Sequence, residues 1–182
     1  MIEQFAEQAQ PILNLPVIRR TRRNHGLEHA TITILASRIK PLSMAGRSDG
    51  GGFLLFGEVS TEQVQSAVNE ALRRMKHGER SLAVHPNCGT NLVTTSFMAS
   101  IAAMLGMIGV RRSGWLNRLP LVMSFVSIAL LLSQPLGMSL QRHITTDGDP
   151  ADLEVLEITR REVQMPLREG TMTVHRVNTR SS

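Results

Sequence analysis

The sequence predicts an α+β protein: a small polar α/β domain, a two-helix transmembrane hairpin and a C-terminal β-hairpin. Residues 91–110 and 119–140 contain no charged side chain, and each run can cross a hydrocarbon core of about 30 Å as a helix. Residues 153–163 and 171–177 alternate between polar and apolar side chains, which is typical of strands. Helical and strand patterns follow one another in residues 24–90, which predicts the polar domain.

The first segment, residues 1–23, is predicted to be amphipathic and basic. Ile2, Phe5 and Ala9 recur at helical spacing, which favours a short helix at a membrane interface. The segment opens with Glu3 and Glu7 in place of a basic region followed by a continuous apolar stretch, so it does not resemble a cleaved signal peptide. Its basic end consists of Arg19, Arg20, Arg22 and Arg23.

The polar domain is predicted over residues 24–90. Asn24 is a candidate N-cap for the first helix, and Pro41 follows its expected end. The glycine-rich stretch 46–52 lacks the Lys-Ser/Thr ending of a phosphate-binding loop, so a turn is expected there. The predicted elements are a helix over 24–38, a strand over 53–56, a helix from Ser60 or Thr61 to Lys76, and a short strand over 81–84.

The hairpin, residues 91–140, and the polar tail, residues 141–182, predict an integral protein of the inner or plasma membrane. Two crossings place both ends on one side. Basic residues near the helix ends favour a cytoplasmic location for the polar parts: Arg73, Arg74, Lys76, Arg80, Arg142 and Arg160. The connecting loop favours the opposite orientation through Arg111, Arg112 and Arg118. The alternative, two buried core helices, needs more apolar material than this chain has.

Charge and composition indicate a lipid bilayer as partner and no nucleic acid. The net charge is +5, but the basic residues cluster beside the apolar segments, and with no Tyr and one Trp there is little surface for base stacking. A membrane protein partner or a homo-oligomer fits the same composition. The single cysteine, Cys88, cannot form an intramolecular disulfide, which is compatible with a reduced cytosolic side.

The sharpest motif is His-x-x-Glu-His, formed by His25, Glu28 and His29. Residues four apart on a helix project from one face, so the two imidazoles can bind one metal ion. In zinc peptidases with this inverted motif, the glutamate takes a proton from the water that the metal activates. Surface histidines on a capped helix are the alternative interpretation.

A second pair, His85 and Cys88, supplies the two remaining ligands of a tetrahedral site. Pro86 and Gly89 constrain the turn that carries them. Taken alone, Cys88 is more simply a small buried residue and His85 a hydrogen-bonding group. Together with His25 and His29, they predict a zinc site.

These motifs resemble the YqhQ-like family of uncharacterised, predicted metal-dependent membrane proteins. The shared pattern is His25-Gly26-x-Glu28-His29-x-Thr31, then His85-Pro86-x-Cys88-Gly89-Thr90, Gln141-Arg142-x-x-Thr145-Thr146, Asp149 and Leu153-Glu154-Val155. The resemblance implies roles for His25, Glu28, His29, His85 and Cys88. This chain departs from the family at Ala30, where lysine is frequent, and in its strand-like tail.

The leading hypothesis is a zinc-dependent hydrolase at the membrane surface, acting on a membrane peptide or a lipid head group. His25, His29 and His85 are then the ligands, Glu28 is the general base, and Cys88 is either a displaceable fourth ligand or a neighbour of the site. The alternative is a non-catalytic subunit or scaffold, in which all four residues form a closed structural site and Glu28 orients a histidine. A third hypothesis is a metal-free accessory subunit. Enzyme activity is therefore left open.

Overall fold

The computed structural model describes residues 2–110, 114–164 and 170–182. Within these ranges the chain forms five α-helices and one four-stranded antiparallel sheet, which confirms the α+β class. The elements are α1 (Ile2–Leu13), α2 (Pro16–Arg38), β1 (Ala45–Asp49), β2 (Gly52–Phe56), α3 (Thr61–Lys76), α4 (Gly89–Gly106), α5 (Trp115–Leu140), β3 (Glu154–Gln164) and β4 (Thr171–Arg180).

The chain divides into two compact units. The first unit combines the chain up to His85 with the chain from Arg142 onward, and the second unit runs from Pro86 to Gln141. The first unit therefore holds α1–α3 and the whole sheet, and the second holds α4 and α5.

The sheet has the order β1-β2-β4-β3, and all its neighbouring strands are antiparallel. The predicted C-terminal β-hairpin is present as β3 and β4, although residues 165–169 of its link lie outside the described residues. β4 also pairs with β2, so the tail completes the sheet of the polar domain. At Gly52 the backbone has φ 142°, and an added Cβ would overlap the carbonyl oxygen of Val177. Only glycine fits this start of β2.

Side chains from α2, α3 and the sheet form the main core of the first unit. Phe53 and Leu55 of β2 are fully buried, because alternate side chains of a strand share one face. The other fully buried apolar residues of this cluster are Leu27, Ala30, Leu35, Val64, Ala67, Val68, Ala71, Leu153 and Val177. This packing fixes α2, the helix that carries the histidine motif, against the sheet.

α3 begins as predicted, with a capping box. The Ser60 side chain accepts a hydrogen bond from the backbone N–H of Gln63, and the Gln63 side chain accepts from the backbone N–H of Ser60. Two otherwise unpaired donors are thus satisfied at the helix start.

Three other local predictions are wrong. α2 begins at Pro16, and Asn24 lies buried inside it, with its amide donating to the Asp49 carbonyl oxygen and its Oδ1 accepting from Thr179. Residues 46–52 are more than a turn, because β1 occupies Ala45–Asp49 and pairs with β2. The expected strand over 81–84 is replaced by a 3-10 turn, Arg80–Ala83.

The second unit is a pair of packed helices. The Thr95 and Ser133 hydroxyls are hydrogen-bonded at 2.8 Å. An added Cβ on Gly106 would lie 2.8 Å from a methyl carbon of Val122, so a small residue is needed there for close approach of α4 and α5. Large apolar side chains cover the outside of the pair, among them Leu92, Phe97, Met104, Met123, Ile128, Leu131 and Leu132. Of the predicted loop arginines, Arg111 and Arg112 lie outside the described residues.

The structure supports the prediction of two membrane crossings only in part. In the described part of the chain, one helical stretch, Trp115–Thr145, is long and apolar enough to cross a membrane, and 11% of its most apolar window is buried. It comprises α5 and a π-helical turn, Gln141–Thr145. α4 (Gly89–Gly106) has 18 residues but does not meet the same criterion. Its first turn contains the polar residues Thr90 and Asn91. The criterion concerns length and composition alone.

Candidate metal centre

Two imidazoles of the predicted site meet on one face of α2. The ring centroids of His25 and His29 lie 4.4 Å apart, with an angle of 65° between the ring planes. A ring nitrogen of each lies within 4.8 Å of a ring nitrogen of the other. His29 is buried and His25 is half-buried. The four-residue spacing thus brings the two side chains to bridging distance for a metal ion.

Each of these imidazoles is oriented by a backbone carbonyl group. His25 Nδ1 lies 2.9 Å from the Thr145 carbonyl oxygen, and His29 Nδ1 lies 2.8 Å from the Ala83 carbonyl oxygen. A carbonyl oxygen only accepts, so Nδ1 carries the proton in both rings. In the neutral imidazole, Nε2 is then the nitrogen with the lone pair, which is the arrangement usual for metal-binding histidines.

Gly26, between the two histidine positions, allows both carbonyl-bearing segments to approach α2. An added Cβ there would overlap the Asp147 carbonyl oxygen and would lie 3.2 Å from both the Asp147 carbonyl carbon and the Ala83 Cβ. Thr145 precedes Asp147 by two residues, so the same close approach supports the hydrogen bonds to both His25 and His29. A side chain at Gly26 would therefore disturb both orienting groups.

Arg22 holds the segment that orients His25. Its guanidinium donates to the carbonyl oxygens of His143, at 3.3 Å, and Thr146, at 3.1 Å. Its own backbone oxygen accepts from the Asp147 N–H at 3.0 Å. Burial lowers the pKa of Arg22, and the attraction of Asp147 opposes that change. The turn of α2 that precedes the motif is thus hydrogen-bonded to residues on both sides of Thr145.

His85 also lies beside this pair in the first unit. Its ring centroid is 6.0 Å from that of His29. The 3-10 turn that supplies the Ala83 carbonyl oxygen ends two residues before His85. Burial lowers the pKa of His85, which favours the neutral imidazole that metals bind. Of the predicted site residues, His25 and His29 are therefore brought together, and His85 lies next to His29.

Glu28 lies on the strand-facing side of α2. Its carboxylate accepts a hydrogen bond from the Ser48 hydroxyl in β1, and only 4% of the residue is exposed. An added Cβ on Gly46 would overlap the carboxylate, so β1 leaves room for Glu28 through a glycine. Burial raises the pKa of Glu28, while the Ser48 hydrogen bond and the attraction of His25 lower it. The predicted general base is thus buried and adjacent to His25.

Cys88 belongs to the second unit, three residues after His85. It is the N-cap of α4, and the backbone N–H of Thr90 donates to its sulfur at 3.4 Å.

The remaining histidines lie apart from the motif. His143 Nε2 lies 3.6 Å from a carboxylate oxygen of Glu3. His77 is exposed. His175 is fully buried in β4, with Nε2 3.2 Å from the Thr61 hydroxyl. No sequence signal could point to the orienting carbonyls of Ala83 and Thr145, because every residue carries a carbonyl group.

A family model described as a domain of unknown function, DUF6391, matches residues 20–158. The chain belongs to the DUF6391 family. The DUF6391 match includes His25, Glu28, His29, His85 and Cys88. An uncharacterised protein of Picosynechococcus sp. (strain PCC 7002) is 34% identical over 152 residues, which cover 75% of this DUF6391 chain and 70% of that protein. No solved structure matches the chain. The resemblance to the YqhQ-like family stays a prediction.

Proposed function

We propose that this DUF6391 protein is a membrane-anchored zinc protein in which His25, His29, His85 and Cys88 hold the ion. The observation that carries the proposal is the pair of Nδ1–H···O=C hydrogen bonds, which fixes the tautomer of His25 and His29 and makes Nε2 the ligand atom of each. Ordinary surface histidines on a helix need no such matched support.

The donor set fits zinc better than the hard cations. Three imidazoles and one thiolate are the ligand types of tetrahedral zinc sites, whereas calcium and magnesium prefer oxygen. His85 lies beside His29, and its burial favours the neutral form. For Cys88 the support is its place in the chain, since a His-x-x-Cys spacing keeps the two α-carbons within about 10 Å of each other.

Metal analysis of the detergent-purified chain tests the proposal. We expect about one zinc ion per chain, with nitrogen and sulfur ligands in the X-ray absorption spectrum. His29→Ala and Cys88→Ser should each lower zinc occupancy. His77→Ala is the matched control, because it removes an exposed imidazole outside the site. Equal zinc content in His29→Ala and His77→Ala would overturn the assignment, as would wild type that remains metal-free after incubation with zinc.

For the membrane anchor, we propose that α4 and α5 insert together. α5 has the length and composition of a crossing, and most of its apolar side chains are exposed. β2, before the second unit, pairs with β4, after it. A single crossing would place these two strands on opposite sides of a bilayer. The 18 residues of α4, about 27 Å long, therefore form the other leg.

Labelling of single cysteines tests this topology. In a Cys88→Ser background, we would place one cysteine at Gly114, between the helices, or at Ser182. In intact spheroplasts, an impermeant maleimide should label Gly114→Cys and not Ser182→Cys, since the basic residues flanking the pair favour a cytoplasmic first unit. Labelling of both positions, or of neither, would refute a spanning pair with this orientation.

A specific observation also favours hydrolase activity as a second candidate function. Glu28 is buried beside His25, and burial raises its pKa toward the range of a general base. Zinc, when bound, supplies Lewis acidity and lowers the pKa of water. In this role Glu28 accepts a proton from that water, and His25 and His29 are ligands of the ion. The substrate class is an ester or amide at the membrane surface.

Glu28→Gln separates this candidate from a closed structural site. The amide keeps the size of the side chain but cannot accept the proton, so zinc content should persist while turnover of lipid head-group esters or membrane peptides is lost. Unchanged turnover in Glu28→Gln would refute the catalytic role. Zinc with a sulfur ligand and no hydrolysis by wild type would favour the structural site.

A further inference from the structure

A cleft of about 400 Å³ opens in the first unit beside the 3-10 turn and the loop that follows α5. Its lining includes Arg80, Ser81, Ala83, Arg142, Thr146 and Gly148. Ala83 is the residue whose carbonyl oxygen accepts from His29. The cleft thus has a wall in common with the support of the candidate metal centre and a separate set of polar side chains.

Two carboxylates in the lining are already engaged. Asp149 pairs with Arg80 at 3.1 Å, and its other oxygen accepts from the Ala151 N–H at 2.9 Å. Asp147 accepts from the Asp149 N–H at 3.0 Å. These contacts stabilise the loop and orient the Arg80 guanidinium, so the carboxylates oppose an incoming anion less than free ones would.

Arg142 is the other cation in the lining of the cleft, and none of these contacts involves it. It is exposed, and among the described residues it has no hydrogen-bond or ion-pair partner. Its guanidinium offers paired N–H donors in a planar fork, which matches two oxygens of a phosphate group. Arg142 lies two residues after the end of α5, so an inserted α5 would place it at the level of lipid head groups.

We propose that this cleft binds a phosphate group, with Arg142 as the main contact and Arg80 as the second cation. A tetrahedral phosphate has enough oxygens to pair with both guanidinium groups, which a single carboxylate does less well. The group belongs either to a lipid head group or to a soluble phosphate. The site is distinct from the histidine cluster and does not depend on zinc.

The test uses the full chain in uncharged detergent and two probes, inorganic phosphate and a short-chain phosphatidylglycerol, in calorimetric titrations at constant ionic strength. We expect saturable binding of one equivalent of at least one probe. Arg142→Ala should weaken it roughly 10- to 100-fold, the effect of one bidentate charge-assisted pair. Arg142→Lys should retain part of it, because the charge remains without the fork.

Three controls separate phosphate binding in the cleft from binding elsewhere on the chain. Arg73→Ala removes an exposed arginine of the first unit outside the cleft and should leave binding unchanged. Prior removal of zinc with a chelator should also leave binding unchanged, whereas phosphate bound through a metal would be lost. Thermal unfolding shows whether each variant is folded, and Arg80→Ala gives a second, independent test of the cleft.

The outcomes decide both the site and the source of the phosphate. Arg142-dependent binding of inorganic phosphate supports a soluble ligand, and Arg142-dependent binding of the lipid alone supports a head-group site. Absence of saturable binding, equal losses in Arg142→Ala and Arg73→Ala, or loss of binding after zinc removal would each overturn the proposal.

Discussion

Gly26→Ala tests the proposed support of the metal centre with the smallest possible change. Gly26 lies within α2, where alanine is the better helix former by about 1 kcal/mol. On helix propensity alone, the substitution should stabilise the chain. The structure predicts the opposite, because the added methyl group would overlap the Asp147 carbonyl oxygen and lie 3.2 Å from the Ala83 Cβ.

Relief of this overlap requires a shift of roughly 1 Å, judged against an optimal separation of about 3.5 Å. Overpacking of this kind costs about 1–3 kcal/mol, which exceeds the gain in helix propensity. The net loss of about 1 kcal/mol corresponds to a fall in Tm of roughly 2–4 °C. A shift of about 1 Å also breaks or lengthens the hydrogen bonds of Thr145 and Ala83 to His25 and His29. Loss of such outer partners weakens metal binding by about 10–100-fold.

The assay is a zinc competition titration of the purified chain against a chelator of known affinity, with thermal unfolding measured on the same samples. Gly50→Ala is the matched control, since its nearest neighbour would be a methyl carbon of Val17 at an ordinary 3.7 Å. The two variants should differ in zinc affinity by at least about tenfold. Gly26→Ala that lowers Tm while its zinc affinity equals that of Gly50→Ala would refute the role of the carbonyl groups.

Two further predictions concern the first unit. Phe53→Ala should lower the free energy of unfolding by about 3–5 kcal/mol, because Phe53 is fully buried, while the exposed Leu156→Ala should change it by less than about 0.5 kcal/mol; denaturant titration compares them. Burial lowers the pKa of His175, so the unfolded chain, with a histidine pKa near 6.5, takes up this proton at a higher pH than the folded chain. The free energy of unfolding should therefore fall as pH drops below about 6.5, and a slope as steep in His175→Gln as in wild type would contradict this.

Elements whose signals are local could be predicted from the sequence. The start of α3 follows from Ser60 and Gln63, which satisfy each other's backbone groups without help from the rest of the chain. β3 and β4 follow from the alternation of polar and apolar residues in their sequences, and β4 buries one face, with Thr173, His175, Val177 and Thr179. β3 lies at the edge of the sheet and is largely exposed. The approach of His25 to His29 could likewise be predicted, because residues four apart share one face of any helix, and both lie in α2.

Elements that depend on distant partners could not be predicted in this way. Asn24 has the composition of an N-cap, but its amide group is used by Asp49 and Thr179, 25 and 155 residues away. Pro16, at the first turn of α2, was the local signal for the true start. β1 has no alternating pattern of burial, and its register with β2 identifies it as a strand.

Whether the centre is catalytic depends on Glu28 more than on the histidines, whose arrangement suits both a closed and an open site. A general base must reach the water from which it takes the proton. In this structure the Glu28 carboxylate instead accepts from Ser48 and fills the space left by Gly46, on the side of α2 that faces β1. A catalytic Glu28 must therefore also bind that water molecule, through Oε1 or in place of the Ser48 hydroxyl. Burial raises the pKa of Glu28, so its carboxylate is a stronger base toward that water than an exposed glutamate would be. A structural Glu28 needs no change, because its hydrogen bond with Ser48 already holds α2 against β1.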